Sequence, residues 1–304
     1  MNDLTNELIE NISARNALQN KALSKEMTNL TPLHLAGLEE LISFFCAKGF
    51  SIDGIAKAYL SFVDYFLEER KYFIRNDSYR YASYQETMQL YNDKEYMESY
   101  MIGLALSIYF LKLQRDNMDF FISHCRKMQV SEESNFIEIG TGHGSYFVAA
   151  MQNTSLGSYL GIDISPTSVK ITKEYVEYCI KSKKKNYSVM EKDFFEFDDS
   201  NKFDMVVMGE ILEHVEQPLR FLQKAASIAT EDAPIYVSTA INSPFPDHIH
   251  LFRNVDEVKV LFNQANLSIV DEIVITPNGI TLEKAYKNKY DIVVAYMLKR
   301  QKGG

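Results

Sequence analysis

The stretch FIEIGTGHGSYFVAA, Phe136 to Ala150, opens as an apolar strand, passes through three glycines at alternate positions and continues with helical spacing. Gly140, Gly142 and Gly144 stand where a first strand gives way to a helix, the place where an open α/β sheet leaves a crevice at its topological switch point. Glycine there permits unusual φ and a close backbone approach, so N–H groups rather than side chains can wrap a large polar ligand. The spacing is Glu138-x-Gly140-x-Gly142-x-Gly144, and Ser145 stands where the third glycine of a G-x-G-x-x-G dinucleotide fingerprint would fall. An acidic residue inside the strand also has no evident task beside a pyrophosphate.

Downstream, short β-rich runs alternate with helical ones: SYLGIDIS, YSVMEKDF, FDMVVMG, APIYVSTA, LSIVDEIVIT and YDIVVAYML. Strands separated by helices imply crossover connections and a parallel sheet. Ser165 and Pro166 read as an N-cap followed by a first-turn proline, and Pro218 opens another helix. The last two strands, separated only around TPNGITLEKAYKN, are expected to pair antiparallel at an edge.

Upstream, from Thr31 to about Met128, the pattern is helical throughout. Met97, Met101, Leu104, Ile108 and Leu111 fall on one helix face, and Met118, Phe121, Ile122 and Cys125 fall on one face of the next. Both stripes read as core. Ten of the 19 tyrosines lie between Tyr59 and Tyr109, where an apolar ring with a polar tip suits a mixed substrate, a core or an interface. The change of texture after QVSEES divides the chain into 1–130, a helical cap serving as substrate lid or dimerisation domain, and 131–304, the ligand-binding domain.

Composition excludes several classes. Hydrophobic residues at 46% and charged ones at 24% are those of a globular protein. The N-terminus MNDLTNELIE has neither a basic nor an apolar leader region, and the run MIGLALSIYFL is far short of the ~20 residues a membrane span needs, so no membrane partner and a cytoplasmic location are expected. Cys46, Cys125 and Cys179 show no CxxC spacing, which suggests neither disulfides nor a thiolate zinc site. A formal charge of −9 disfavours nucleic acid as a partner. The dense basic run KSKKKN reads as a solvated helix end, where cations suit the dipole.

The motif EIGTGHG closely resembles the first motif of class I S-adenosylmethionine-dependent methyltransferases. That resemblance covers about Asn135 to Arg300 and implies a fold: a Rossmann-like α/β, doubly wound, mostly parallel sheet with an antiparallel C-terminal edge strand, here preceded by an all-helical N-terminal domain. It implies S-adenosylmethionine as cofactor, held by Glu138, Gly140, Thr141, Gly142 and Gly144. Asp163, followed by Ile164, would meet the ribose hydroxyls, Asp193 and Phe194 the adenine, and the Met208 and Gly209 backbone the methionine moiety. As turn residues, Asp163 and Asp193 also have a purely local reading.

Methyl transfer needs alignment above all, and a base only where the acceptor must lose a proton. His214 in EILEHV, and His248 and His250 in PFPDHIHLF, follow strands and approach the crevice mouth. With Glu210 they form the expected catalytic locus, while His143 inside the loop reads as a spacer. Glu210, Glu213 and His214 share one face of a helical turn by their spacing. With His250 they offer an oxygen and nitrogen set for a divalent metal, and this set resembles that of methyltransferases acting on the 2′-hydroxyl at the 3′ end of small RNAs. The same segments occur widely in methyltransferases that bind no metal.

The leading expectation is an enzyme methylating a small-molecule metabolite by in-line transfer. The alternatives are metal-assisted 2′-O-methylation of RNA, against which the charge counts, and a non-catalytic protein that binds the cofactor. Many small-molecule O-methyltransferases carry an N-terminal helical dimerisation domain, which makes a homodimer through these helices an expectation. This chain has no tryptophan and so lacks their usual His-Asp-Trp segment.

Overall fold

Successive strand residues point to opposite faces of a sheet, so strands apolar at every position demand a cover on both sides. The structure is a computed structural model and describes residues 3–181, 186–198 and 200–301. Positions 182–185 of the basic run lie outside the described residues. The strands are β1 (Asn135–Ile139), β2 (Ser158–Asp163), β3 (Asn186–Glu191), β4 (Met205–Met208), β5 (Ile235–Ile241), β6 (Leu267–Ile275) and β7 (Ile292–Arg300). They form one sheet in the order β3-β2-β1-β4-β5-β7-β6. The first five pair parallel, whereas β7 runs antiparallel to both β5 and β6. The antiparallel strand at the C-terminus therefore inserts one place in, and β6 forms the edge. The strand order reverses between β1 and β4, which opens the crevice at their C-terminal ends.

Helices α1 (Asp3–Arg15), α2 (Ala17–Met27), α3 (Pro32–Ala47), α4 (Ile52–Asn76), α5 (Tyr84–Asn92), α6 (Lys94–Phe110) and α7 (Lys112–Lys127) precede the sheet. Helices α8 (Ser145–Asn153) and α9 (Pro166–Cys179) follow β1 and β2; α10 (Pro218–Ile228), α11 (Val255–Gln264) and α12 (Leu282–Lys287) come later. Ser165 caps α9 through its side chain with Pro166 in the first turn, and Pro218 opens α10, as their residue types dictate.

The strand alternation sorts the core into two layers. Phe136, Met205, Val207, Tyr236 and Met297 face α7, α8 and α9, together with Phe121, Phe147 and Val176. Ile137, Val206, Met208, Val237 and Val294 face the other way, onto Leu222, Val258 and Ala285. The first layer runs without a break into the N-terminal helices through Leu8, Leu38, Phe44 and Ile102. Phe121 of α7 lies 4.8 Å from the Tyr236 ring, and Phe44 of α3 lies 4.8 Å from Tyr175 of α9. Helix α7 thus serves as a cover of the sheet, although it lies on the helical side of the 130/131 division.

The far end of α4 is tied to the sheet's loops by charge. Asp77, with a left-handed φ of 54°, accepts Arg253 at 2.9 Å and Lys289 at 2.6 Å. Arg70 stands 3.5 Å from Asp291 and donates to the Asn242 carbonyl at 3.2 Å. No described helix is long and apolar enough to cross a membrane.

Candidate functional site

The β1–α8 loop is built from backbone that only glycine adopts freely. Gly140, Gly142 and Gly144 have φ of 75°, 50° and 80°. At Gly140 a Cβ would fall 2.1 Å from Ile211 Cδ1. At Gly142 a Cβ would find only Met101 Sδ, 3.9 Å away, so the backbone there faces open space beneath α6. Thr172 of α9 holds the loop from behind, donating to Gly142 O and Thr141 Oγ1 at 3.2 Å. His143 Nδ1 accepts the Ser145 N–H at 3.2 Å, the act of a local cap; burial holds its imidazole neutral, down at about 4. His143 also lies on the wall of the chamber described below.

Asp163 ends β2 and accepts the Gly142 N–H at 2.9 Å and the Ser165 N–H at 2.8 Å, one on each oxygen. Its local reading therefore holds, and lone pairs remain on both oxygens for a ligand. Burial raises it, against the pull of those N–H groups. Glu138 is 1% exposed, its Oε2 has no hydrogen-bond partner, and burial raises it well above the usual carboxylate range. Asp193 caps a 3-10 turn, accepting the Phe195 N–H at 2.8 Å, and Phe194 packs on Phe221 at 5.3 Å.

The acceptor side is made by the β4 and β5 exits. Glu210 has φ of 54°, and the 3-10 turn that follows spans only Leu212–His214. The helical face expected for Glu210, Glu213 and His214 is therefore broken at its first member, because the chain reverses hand there to let Glu210 N–H reach the Ser238 carbonyl at 3.1 Å. A non-glycine residue held in this region is backbone strain of the kind found at functional sites. Gln114 and Asn117 of α7 donate to the two Glu210 oxygens at 3.3 Å. Glu213 is fully buried; Thr239 donates to its Oε2 at 2.7 Å, and its Oε1 has no partner. Burial, then the neighbouring Glu210, raise it well above the usual carboxylate range.

His248 Nδ1 lies 2.6 Å from the Ser243 carbonyl, so that nitrogen carries the hydrogen and Nε2 is the open acceptor. Burial lowers its pKa to about 3, and the imidazole is neutral. His214 Nδ1 lies 3.2 Å from the Asp247 carbonyl and 3.5 Å from its Oδ2. One ligand atom from each of Glu213, His214 and His248 lies within 4.8 Å of the others. Glu210 and His250 stand outside that group. His250 instead packs on Phe252 at 4.5 Å, and it does not line the cavity described next.

A chamber of about 860 Å³ joins the two sides. It is lined by Glu138, Gly140, Thr141, Gly142, Asp163, Ile164, Asp193, Phe194, Gly209, Glu210, Glu213, His214 and His248, whereas Gly144, Met208 and His250 are not on its wall. Gly144 lies against Thr172, and Met208 is buried in the second core layer. The helical part closes the chamber with Tyr84, Tyr91, Tyr100, Met101 and Ile108. Tyr100 and Tyr91 donate to the buried Asp247 carboxylate at 3.1 and 3.3 Å. Sequence reasoning passed over Asp247, although it sits inside PFPDHIHLF; a carboxylate directly before two histidines was the available signal. Gln114 and Asn117 carried none.

A family model described as a methyltransferase domain matches residues 109–272, just over half of the chain. Among curated proteins, a mitochondrial ubiquinone biosynthesis O-methyltransferase of Dictyostelium discoideum is 24% identical over 195 residues, 55% of this chain and 59% of that protein. A probable (S)-tetrahydroprotoberberine N-methyltransferase 2 of Papaver bracteatum is 22% identical over 138 residues, 44% of this chain and 36% of its own. The chain thus spans less than two thirds of the length of these relatives. Among solved structures, the mitomycin 7-O-methyltransferase superposes with a TM-score of 0.53 at 14% identity, over 79% of this chain and 68% of that one, a likeness of fold.

Proposed function

The chain belongs to the methyltransferase-domain family, and from that premise we propose that it transfers a methyl group from S-adenosylmethionine to a small-molecule acceptor held in the chamber. The observation that carries this is the open cradle at the strand ends: a glycine backbone facing empty space, a carboxylate with free lone pairs at Asp163, and an unpartnered buried oxygen on Glu138. A ligand with vicinal hydroxyls and an ammonium fits that donor and acceptor set. In this reading Asp163 accepts from the ribose, Glu138 from the ammonium, Asp193 from the adenine amine beside Phe194, and the loop of Gly140, Thr141, Gly142 and Gly144 wraps between them. Ile164 and Gly209 complete the wall, with Met208 buried in the core behind them.

When bound, S-adenosylmethionine supplies a methyl group already activated by its sulfonium. The chain's own residues then have to hold the acceptor in line and keep water away, and such alignment supplies roughly 7–11 kcal/mol of a barrier. Where the acceptor carries a proton, His248 Nε2 and His214, grouped with Glu213, are the candidate bases. Titration with S-adenosylhomocysteine in a calorimeter tests the reading: micromolar binding is expected. No binding, or tight binding of a nicotinamide dinucleotide instead, sinks it.

A divalent metal is the second reading, favoured by the grouping of Glu213, His214 and His248. Those residues would hold the ion, and it would lower the pKa of a bound hydroxyl. Loss of turnover on chelation, restored by a divalent ion, is its expected mark; full activity after exhaustive chelation removes it.

A further inference from the structure

We infer that the acceptor is a lipophilic amine, bound with its nitrogen against Glu210, Glu213 and Asp247. The inference rests on the methyl-transfer reading and names its substrate class. On the chamber wall Glu26 meets Arg115 at 2.8 Å and Asp291 lies 3.5 Å from Arg70, whereas Glu138, Asp163, Glu210, Glu213 and Asp247 of the same wall form a separate set of carboxylates. Among the described residues no lysine or arginine forms an ion pair with any of them. The lysines on the chamber wall are turned elsewhere: Lys112 to Asp116 at 2.5 Å, Lys192 to Glu196 at 3.4 Å, and Lys25 to solvent. Glu213 Oε1 is fully buried in this wall without a hydrogen-bond partner, a cost of about 1–3 kcal/mol that a donor from the ligand removes. The helical part adds an apolar stretch to the wall, with Phe62, Phe66, Leu104, Ile108 and Phe110.

This surround discriminates by charge. A carboxylate, phosphate or phenolate would enter among acids with no cation to meet it, whereas an ammonium on an apolar body finds both of its needs. The chemistry agrees. An amine arriving as ammonium first gives up one proton to solvent. Its nitrogen lone pair then forms the C–N bond while the C–S electrons return to sulfur. The sulfonium becomes a thioether, and the positive charge ends on nitrogen as a methylammonium. Charge therefore grows beside the carboxylates through the transition state, where they stabilise it. With a deprotonated hydroxyl as nucleophile the same step would erase the charge, and the acids would oppose it.

A matched series tests this in the wild-type protein saturated with S-adenosylhomocysteine: 4-phenylbutylamine, 4-phenylbutan-1-ol and 4-phenylbutyrate, each titrated calorimetrically at pH 7.5. The amine is expected to bind at least about tenfold more tightly than the alcohol, and the carboxylate weakest. Glu213→Gln should narrow the amine's advantage while S-adenosylhomocysteine affinity, which also reports folding, stays. Equal or tighter binding of the alcohol or carboxylate overturns the inference, as does a preference that appears only with an added divalent ion. Failure to bind S-adenosylhomocysteine at all is a separate outcome that removes the methyl-transfer reading, and this inference with it.

Discussion

At Asp163 the local role leaves room for the proposed ribose contact in the same side chain, because a carboxylate has more lone pairs than its two backbone donors use. Asp163→Asn keeps the size but replaces one acceptor with a donor, which then faces an N–H of the loop or a ribose hydroxyl. We expect S-adenosylhomocysteine to bind roughly tenfold to a hundredfold more weakly, the loss of a charge-assisted hydrogen bond, measured by calorimetry. Unchanged affinity would leave Asp163 as a turn residue only. His143 offers a test of a different kind. Its folded pKa of about 4 lies below the unfolded value of about 6.5, so the unfolded chain takes up the proton first as pH falls. The stability it gives is whole above pH 6.5 and is lost progressively down to about pH 4. His143→Asn retains an acceptor for the Ser145 N–H and cannot titrate. Thermal denaturation should find the variant gaining about 1–2 kcal/mol on wild type between pH 8 and pH 5; a constant difference across that range refutes the assignment. Such single-residue facts are only half legible in sequence. The three glycines announce positive φ, but nothing in DHIH says that His248 turns inward to Ser243 while His250 turns out onto Phe252.

Between elements, legibility follows sequence distance. The central strands β1, β4, β5 and β7 could be read because a sheet covered on both faces needs apolar residues at nearly every position, a signal contained in each run itself. Strands β3 and β6 are largely exposed and showed themselves only by β-rich runs between turns. The stripe of α6 was equally visible, but its meaning was not. Met97, Met101, Leu104 and Ile108 line the chamber as well as the core, and Leu111 falls past the helix end, 38% exposed. The link from α5 and α6 to the β5 exit was invisible, since Tyr91 and Tyr100 meet Asp247 across 156 and 147 residues. That link carries its own expectation. Tyr91→Phe or Tyr100→Phe alone leaves Asp247 one hydroxyl donor, whereas the double variant leaves a buried carboxylate with neither. The double loss in chemical denaturation should exceed the sum of the singles by about 0.5–3 kcal/mol, the coupling expected of groups sharing one partner. Strict additivity would show the two tyrosines to be independent of Asp247.

Across the whole molecule, the helical part and the sheet share one apolar layer, from Leu8 and Phe44 through Phe121 to Tyr236 and Met297. A division at 130/131 describes texture and separates no cores. Helix α7 lies before it, yet Phe121 packs on Tyr146 and Tyr236, and Asn117 holds Glu210. Cutting there would strip a cover from the sheet and expose large aromatic surface, so residues 131–304 alone should aggregate rather than keep cofactor affinity. The intact chain should melt in a single calorimetric transition. A ligand that binds only the folded form stabilises it by about 2.7 kcal/mol at a hundred times its dissociation constant. With S-adenosylhomocysteine at that excess, the one peak should therefore move up as a unit, cap and sheet together. Two independent bodies would instead show two peaks, of which only the sheet's would respond. That result, or a soluble 131–304 fragment binding S-adenosylhomocysteine as tightly as the full chain, would make the helices a separate lid and not a structural half of the same core.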